Sequence, residues 1–445
     1  MHQGPAFDTM KHHTIRLRTA AVVACGLSSI ALAGEPPVEP APAESGSMFQ
    51  DFDFCTWLSS KPGTVKGIPE NPIVQSLVFE GRYHWNAAYV DGEGTNGRDF
   101  SEDYTEARRF RLGGKIGFLN YFTYKGIVNL VEDQRFNGGD LEYDYIDFDE
   151  SYFTFDALKA FSVSNLDALT LNVGRIKWHG GLEARTSSNA LLTVERSAIS
   201  NKLYQSARPT GVFVNAVKGP VNAVLGIYSS DEGTDEFGVD SGNVEGWGGW
   251  NDGLMYNAEL IYTATDDLRL GWEFLYNNAD ERLANEDSLL DYRWATTLSA
   301  EYAIGNGGVN VEGFLGDNGG SEMQANAARR GNFWGFVATP YYWIVPAKLQ
   351  AVVQYAYAGA EEDQGIRMNS RYVRATNYGG GGNPNIVNGG RGDSLHTVYA
   401  GLNYLICGDN LKVQAGAEYA HLSTPGVGNG QVDALTWLFG FRSSF

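Results

Sequence analysis

The final stretch of the chain, Asp433 to Phe445, alternates between apolar and polar side chains with a period of two. One face is apolar and largely aromatic and holds Leu435, Trp437, Phe439, Phe441 and Phe445, whereas the other holds Thr436, Gly440, Arg442 and Ser444. A period of two predicts a β-strand that is buried on one side only. Because no residue follows Phe445, we expect the surroundings of the protein, rather than a later segment, to cover the apolar face.

The hydropathy of the chain argues against spanning helices. The 445 residues have a mean hydropathy of −0.27 and are 43% apolar, and no apolar run reaches the roughly 18 residues that a membrane-spanning helix needs. Sustained helical periodicity is confined to the N-terminal leader. A chain of this length could form two or three soluble domains, but any embedding in a membrane would have to use a β-barrel.

The alternation of the C-terminal stretch recurs along most of the chain. In Leu77 to Tyr89 the odd positions are mainly apolar or aromatic, while Glu80, Arg82, His84 and Asn86 occupy even positions. Segments of this kind predict sixteen strands of the length that a tilted barrel strand needs. They cover residues 74–89, 106–118, 122–132, 144–155, 168–177, 210–217, 220–229, 254–263, 268–277, 294–304, 308–316, 332–343, 348–358, 394–406, 411–420 and 433–445.

Short and long connections alternate between the predicted strands. Tight turns fall at residues 119–121, 218–220, 264–267, 305–307, 344–347 and 407–410, and long loops rich in glycine, asparagine and aspartate fall at 91–105, 230–253, 277–291, 317–331 and 359–393. Short periplasmic turns and long external loops are typical of a transmembrane barrel. We therefore predict an all-β, antiparallel transmembrane β-barrel of about sixteen strands. A soluble β-sandwich is the alternative.

The N-terminal region has the composition of an export signal. Lys11, Arg16 and Arg18 precede an apolar run over residues 19–32, and residues 31–33 form a cleavage site of the small-x-small type. Residues 1–33 are therefore predicted to be a signal peptide, with Met10 as a second candidate start. A lipoprotein signal ending at Cys25 is the weaker alternative.

Residues 34–72 separate this leader from the first predicted strand. Their first part is rich in proline, glutamate and alanine, which is typical of an extended linker, and we predict a periplasmic linker and lead-in followed by the barrel over residues 73–445. Cys55 in the lead-in and Cys407 in a predicted turn lie on the same side of the membrane. An oxidising compartment permits one disulfide between them; two unpaired, buried thiols are the alternative.

Basic residues recur on the predicted inward faces of the first three strands. Arg82 lies in the first strand, Arg109, Arg111 and Lys115 in the second, and Lys125 in the third. A barrel of sixteen strands encloses an aqueous channel, and cations in register along its wall offer successive weak sites to an anion. Glutamates also fall on inward faces, namely Glu80, Glu259, Glu273, Glu301, Glu312 and Glu418. The pattern favours an anion channel, with a weakly selective pore as the alternative.

Residues 178–209, after the fifth predicted strand, differ in composition from the other loops. They combine several apolar residues with the basic residues Arg185, Arg196, Lys202 and Arg208. We expect this third external loop to pack inside the barrel as a constriction. A surface loop at a subunit contact is the alternative.

Several stretches of the chain resemble the phosphate-selective porin O and P family. They are Glu106 to Phe122, Gly174 to Lys177, Ser187 to Lys202, Arg208 to Gly211 and the terminal Phe445, and the resemblance extends over roughly residues 73–445. It implies a trimeric, sixteen-stranded outer-membrane porin whose infolded third loop and cationic side chains serve anion or phosphate uptake. By motif, it implies that Arg109, Arg111, Arg175, Lys177 and Arg196 are pore cations.

Motifs of other protein classes find little support. Gly392 to Leu395 matches the Gly-Asp-Ser-Leu esterase tetrapeptide, but a predicted strand rather than a helix follows it, and His421 is the one histidine near the chain end available as a base. No Gly-x-Ser-x-Gly, His-Glu-x-x-His, P-loop or Cys-x-x-Cys motif occurs. A net charge of −20 argues against general nucleic-acid binding. We predict neither an enzyme nor a metal site.

The combined prediction is a homotrimeric porin of the bacterial outer membrane, surrounded by lipid, that passes small anions such as phosphate without a cofactor. The predicted pore-lining or anion-binding residues are Arg82, Arg109, Arg111, Lys115, Lys125, Arg175, Lys177 and Arg196. A general or sugar-selective porin and a non-channel surface-anchoring barrel are the alternatives.

Overall fold

The computed structural model describes residues 52–445 except 67, 69–70, 132–133, 137–141, 231–252, 280–288, 369, 376–382 and 387–388. The predicted signal peptide, residues 1–33, and the linker up to residue 51 lie outside the described residues. Within the described part of the chain, no helix is long and apolar enough to cross a membrane.

Sixteen antiparallel strands form one closed sheet, extended by a two-residue strand, Val65–Lys66, at its start. In chain order they are β1 (Val74–Glu93), β2 (Asp99–Phe118), β3 (Phe122–Asn129), β4 (Asp147–Asp156), β5 (Ala168–Arg175), β6 (Thr210–Lys218), β7 (Val221–Ser229), β8 (Gly253–Thr265), β9 (Leu268–Ala279), β10 (Trp294–Ile304), β11 (Gly307–Asp317), β12 (Asn332–Val345), β13 (Leu349–Ala360), β14 (Ser394–Leu405), β15 (Leu411–Ser423) and β16 (Gln431–Ser444).

The pairing of β16 with β1 closes the barrel. Asp433 lies opposite Glu93 at one end of this ladder, and Ser444 lies opposite Arg82 at the other. Beyond Ser444, Phe445 exchanges two backbone hydrogen bonds with Gly81, of 3.0 and 3.1 Å. All the remaining pairings in the barrel join strands that are consecutive in sequence. The predicted sixteen-stranded barrel is confirmed.

The period of two in the sequence separates the two faces of the wall. On β10, Leu298 points outward and is 66% exposed, whereas its neighbours Thr297 and Ser299 point inward and are almost fully buried. Large apolar residues are likewise exposed on the outside of the other strands. An outer surface of this kind is stable when lipid covers it.

The first two strands are longer than predicted. The predicted ranges were residues 74–89 and 106–118, but β1 and β2 continue to Glu93 and from Asp99. The added part of β2 contains acidic residues such as Glu102, which lies opposite Val90 in the ladder. Because this end extends past the apolar band, the backbone pairing continues where the apolar alternation has ended.

Helical segments in the described residues are short and lie outside the strands. They are α1 (Phe54–Ser59) before the barrel, α2 (Ala157–Phe161) between β4 and β5, α3 (Leu182–Arg185) and α4 (Ala198–Tyr204) between β5 and β6, and the 3-10 helices Gln134–Phe136 and Ala327–Arg329. The connection from β5 to β6, residues 176–209, is called the third loop. The connection from β13 to β14, residues 361–393, is called the seventh loop and contains a small ladder between Ile366–Arg367 and Arg391–Gly392.

Candidate functional site

The third loop lies inside the barrel, as predicted. Its apolar side chains Leu191, Val194, Ile199 and Leu203 are all at most 4% exposed, although the strands around them present mainly polar residues to the interior. A loop that packs inside the lumen also buries its backbone amides and carbonyls, which need hydrogen-bond partners. Side chains from many strands of the wall supply them. The loop therefore forms a second, inner layer of structure.

Three inward glutamates hold the start of the loop. The Gly181 amide donates to Glu273 over 2.6 Å, and the Leu182 amide donates to Glu312. Arg185 pairs with Glu273, and His179 Nδ1 lies 3.2 Å from Glu259. These glutamates come from β8, β9 and β11 and accept from the loop itself. Carboxylates that the sequence identified only as inward charges thus anchor the constriction.

Residues of β14 to β16 hold the middle of the loop through its carbonyl groups. Lys412 donates to the Leu191 carbonyl over 3.1 Å, and Asn403 donates to the Leu192 carbonyl over 2.9 Å. Arg442 donates to the Val194 carbonyl over 2.9 Å. The loop is therefore pressed against this side of the barrel, and open space remains on the side of β1 to β4.

A cavity of about 350 Å³ lies between the third loop and the wall of β1 to β4. Its cationic lining residues are Lys61, Arg82, Arg109, Arg111, Lys125, Lys177, Arg185 and Arg196, and its acidic ones are Glu80, Asp149 and Glu150. Asn410 and the chain end at Ser444 and Phe445 also line it, so the cavity reaches the short-turn end of the barrel. The excess of cations makes this cavity the candidate anion pathway.

Six of the eight predicted residues meet in this cavity: Arg82, Arg109, Arg111, Lys125, Lys177 and Arg196. Lys115 and Arg175 are not part of its lining. The Lys115 ammonium lies 3.1 Å from Glu80. Arg175 donates to Asp147 over 3.1 Å and to the Phe148 carbonyl over 2.7 Å, so it braces β4 against β5.

The cavity cations differ in their partners. Asp149 lies between Arg111 at 2.9 Å and Arg208 at 2.5 Å, and Lys125 pairs with Glu150. Arg82, in contrast, donates to the hydroxyl groups of Ser188 and Ser187 over 2.9 and 3.3 Å. Hydroxyl groups leave the charge of a guanidinium uncompensated. Arg82 is therefore a cation that an incoming anion can neutralise.

Arg196 also keeps its charge uncompensated. It donates to the carbonyls of Glu183 and Thr186 over 2.7 and 2.9 Å. In the described residues, neither Arg82 nor Arg196 has a carboxylate oxygen within 4.0 Å. Neutral acceptors orient these two guanidinium groups while the positive potential of the cavity remains.

Titratable groups of the third loop report the same potential. Burial lowers the pKa of Lys177 well below its usual value, and repulsion from Arg196 and Arg208 adds to the effect. Burial alone would raise the pKa of Tyr204, but attraction by Arg208 and Arg196 outweighs it and lowers this pKa. Because the arginines outweigh burial at Tyr204, the potential beside this phenol is positive.

A β-bulge turns Arg108 toward the lumen, a position that the alternating strand pattern did not predict. The period of two placed Arg108 on the same face as Phe110, which is the lipid face. The register, however, shifts from His84 opposite Arg109 to Trp85 opposite Ala107, and Arg108 donates inward to Glu195 of the third loop over 2.9 Å. A bulge leaves one residue unpaired and reverses the alternation beyond it. No residue type in this stretch signals the shift.

The seventh loop also reaches into the lumen, which the sequence did not predict. Arg371 donates to both oxygens of Glu106 over 2.8 and 2.6 Å, and the Tyr372 hydroxyl donates to Glu106 over 2.7 Å. Asn86 donates to both Tyr372 and Glu195. This network joins the seventh loop, the wall and the third loop on the side of the barrel away from the short turns.

The two cysteines predicted to share one side of the barrel are joined in the structure. Cys55 of α1 and Cys407 of the turn between β14 and β15 form a disulfide, with their Cα atoms 5.0 Å apart. The alternative of two unpaired thiols does not describe this structure. The link fixes α1 at the short-turn end of the barrel.

The esterase-like tetrapeptide lies in a setting unsuited to a nucleophile. Gly392 ends the small ladder of the seventh loop and Ser394 begins β14, so strands flank the serine on both sides. Ser394 lies opposite Ser423 in the sheet, and His421 is 2.8 Å from Asp433. In place of the strand, sharp turn and helix that present a nucleophilic serine, two strands are joined here by a bend at Asp393.

Comparison with known proteins agrees with this architecture. Residues 78–291 match the sequence profile described as phosphate-selective porin O and P. A loop L8 deletion mutant of OmpT, an outer membrane protein of Vibrio cholerae, superposes with a TM-score of 0.50 at 10% identity, over 83% of this chain and 99% of that one. No curated protein matches the sequence.

Two further solved structures are similar at lower scores. In-vitro folded OmpT of Vibrio cholerae, in its trimer form, gives a TM-score of 0.47 at 11% identity, over 83% of this chain and 99% of that one. OccK8 (OprE) of Pseudomonas aeruginosa gives 0.41 at 11% identity, over 82% and 98%.

Proposed function

Because this chain belongs to the phosphate-selective porin O and P family and is an outer-membrane porin, we propose that it passes small inorganic anions, phosphate among them, by passive diffusion. The path runs through the cavity between the third loop and the wall of β1 to β4. Transport of this kind changes no bond in the solute and needs neither a cofactor nor a metal.

The composition of the cavity wall carries this proposal. Eight cationic side chains face three carboxylates, and Arg82 and Arg196 are oriented by neutral acceptors. An anion that enters the cavity can exchange water for these guanidinium groups one after another. Arginine suits phosphate in particular, because its planar fork of donors matches two phosphate oxygens.

The test is the zero-current potential of the purified porin in a planar bilayer across a KCl gradient, followed by addition of phosphate to one side. We expect a potential that indicates chloride preference and a fall in chloride current as phosphate occupies the cavity. A cation-selective potential would contradict the proposal. Chloride preference without any effect of phosphate, or with block by maltose-like sugars instead, would favour a general or sugar-selective porin.

We further propose that the porin assembles as a homotrimer through the outer wall of β1, β2 and β14 to β16. This wall carries a shallow apolar groove of about 720 Å³ lined by small residues such as Ala87, Ala400, Gly401 and Ala417, with Trp437 at its edge. Small residues allow two walls in lipid to approach closely, because packing rather than water exclusion drives association there.

An Ala417→Phe variant should shift most of the protein from trimer to monomer, because the added ring fills the groove. Leu298→Phe, on the outer wall of β10, is the matched control and should leave the assembly unchanged. Native gel electrophoresis and light scattering in mild detergent measure the result. A trimer that tolerates Ala417→Phe as well as Leu298→Phe would place the subunit contact elsewhere.

A further inference from the structure

The lead-in before β1 contributes to the cavity, although it lies outside the barrel in sequence. Lys61 lines the cavity together with Arg82, and its ammonium is 2.6 Å from Glu80 on the inward face of β1. The sequence placed this segment in a periplasmic linker. Its contacts also make it part of the pore mouth.

Three contacts fix the path of the lead-in. The disulfide joins Cys55 of α1 to Cys407, and Asp53 caps α1 by accepting from the Cys55 amide over 3.0 Å. After Lys61, the backbone runs beside β1, where residues 65 and 66 pair with residues 77 and 76. This ladder occupies the edge of β1 beyond the end of β16. Lys61 is therefore held between two fixed points at the seam of the barrel.

The charge balance around Glu80 depends on Lys61. Glu80 accepts from Lys61 at 2.6 Å and also lies 3.1 Å from Lys115. Two ammonium groups thus share one carboxylate, which leaves a net positive charge at the mouth. Without Lys61 the remaining pair of Glu80 and Lys115 would be neutral. Of these two lysines, Lys61 is the one that lines the cavity.

We infer that Lys61 determines anion selectivity at the periplasmic mouth of the pore, and that the Cys55–Cys407 disulfide serves to hold it there. The inference rests on the proposed anion-channel function. It assigns the lead-in a role in permeation and gives the disulfide a purpose beyond general stabilisation. Without the disulfide, Lys61 would extend into bulk solvent, where salt screens its charge within about 10 Å.

The test compares reversal potentials of wild type, Lys61→Gln, the double variant Cys55→Ser/Cys407→Ser and the triple variant. Lys61→Gln should lower the chloride-to-potassium permeability ratio about twofold, because one partly screened charge is lost. The double variant should show the same loss. The triple variant should lose no more than either, since both changes remove the same charge from the same place.

The orientation of the salt gradient and a lysine at another position provide the controls. The effect of Lys61→Gln should be largest when the dilute solution bathes the periplasmic end, because screening is weakest there. Lys218→Gln removes a charge from the exposed last residue of β6, beside the turn to β7, and should leave the ratio unchanged.

Three results would overturn the inference: no difference between Lys61→Gln and Lys218→Gln, wild-type selectivity in the cysteine-free variant, or additive losses in the triple variant. Lys61→Gln keeps the disulfide, so it remains informative if the cysteine-free barrel folds poorly. The wild-type potential separates this inference from the proposed function. A wild type without anion preference contradicts the channel proposal, whereas an anion-selective wild type that is insensitive to Lys61 contradicts only the role of the lead-in.

Discussion

Replacing Arg82 with glutamine is expected to lower the chloride-to-potassium permeability ratio about tenfold. Arg82 lines the cavity, and its partners are the hydroxyl groups of Ser187 and Ser188, so its full charge is available to an anion. At an effective dielectric constant of about 20, a unit charge roughly 6 Å from an ion contributes about 3 kcal/mol. Screening by pore water and salt that halves this value leaves about 1.4 kcal/mol, which corresponds to a factor of ten.

Arg269→Gln is the matched control for this experiment. Arg269 lies on the inward face of β9, but it pairs with Glu301 at 3.6 Å and is not part of the cavity lining. Its loss removes the same charge from the lumen and should change the ratio by less than twofold, as for an exposed ion pair. Equal effects of the two variants would mean that the overall lumen charge, and not the cavity, sets the selectivity.

Phosphate block gives the Arg82 variant a second readout. If phosphate binds through this guanidinium group, the phosphate concentration that halves the chloride current should rise with Arg82→Gln and stay unchanged with Arg269→Gln. If the variant loses chloride preference but phosphate still blocks the current, chloride selectivity and phosphate binding depend on different residues. Arg196 would then be the next candidate for phosphate binding.

The strand positions could be predicted because they depend on local sequence. In Leu77 to Tyr89, each side chain faces either lipid or lumen, and its polarity indicates which of the two it faces. The same reasoning places Arg82, Arg109, Arg111 and Lys125 on the inner wall, where the structure has them. Predictions of this kind need no knowledge of distant partners.

Features that depend on distant partners could not be predicted in the same way. Arg108 faces inward only because of a one-residue register shift against β1. Glu273 and Glu312 look like pore charges in sequence, yet both accept from backbone amides of the third loop. The apolar residues of that loop indicated that it packs, but the sequence could not say against which strands.

The separate roles of the two sides of the lumen are compatible with the proposed anion pathway in an acidic protein. The net charge of the chain is −20, but the inward glutamates of β8, β9 and β11 are occupied by the start of the third loop. On the side of the cavity, Arg82 of the wall and Arg196 of the third loop keep neutral partners. In the proposed pathway, selectivity depends on the local potential of this cavity and not on the net charge of the chain.

The contacts of Glu195 with β1 and β2 are expected to contribute strongly to keeping the third loop closed. Glu195 accepts from Arg108 over 2.9 and 3.3 Å and from Asn86 over 3.0 Å, and both members of the ion pair are about 80% buried. A Glu195→Ala change leaves Arg108 as an uncompensated, largely buried charge. The expected cost is about 3 kcal/mol of the free energy that keeps the loop closed.

Hydrogen exchange of the third loop measures this cost directly. A loss of about 3 kcal/mol should accelerate exchange of the amides in α4 roughly a hundredfold through local opening, while amides of the β10 ladder keep their protection. Adding Arg108→Met should restore most of the protection, since removal of both charges also removes the uncompensated one. If Glu195→Ala leaves exchange in α4 unchanged, the glutamates of β9 and β11 and the donors of β14 to β16 hold the loop without help from this ion pair. If the double variant exchanges as fast as the single one, the hydrogen bonds of Glu195, and not the charge of Arg108, account for the loss.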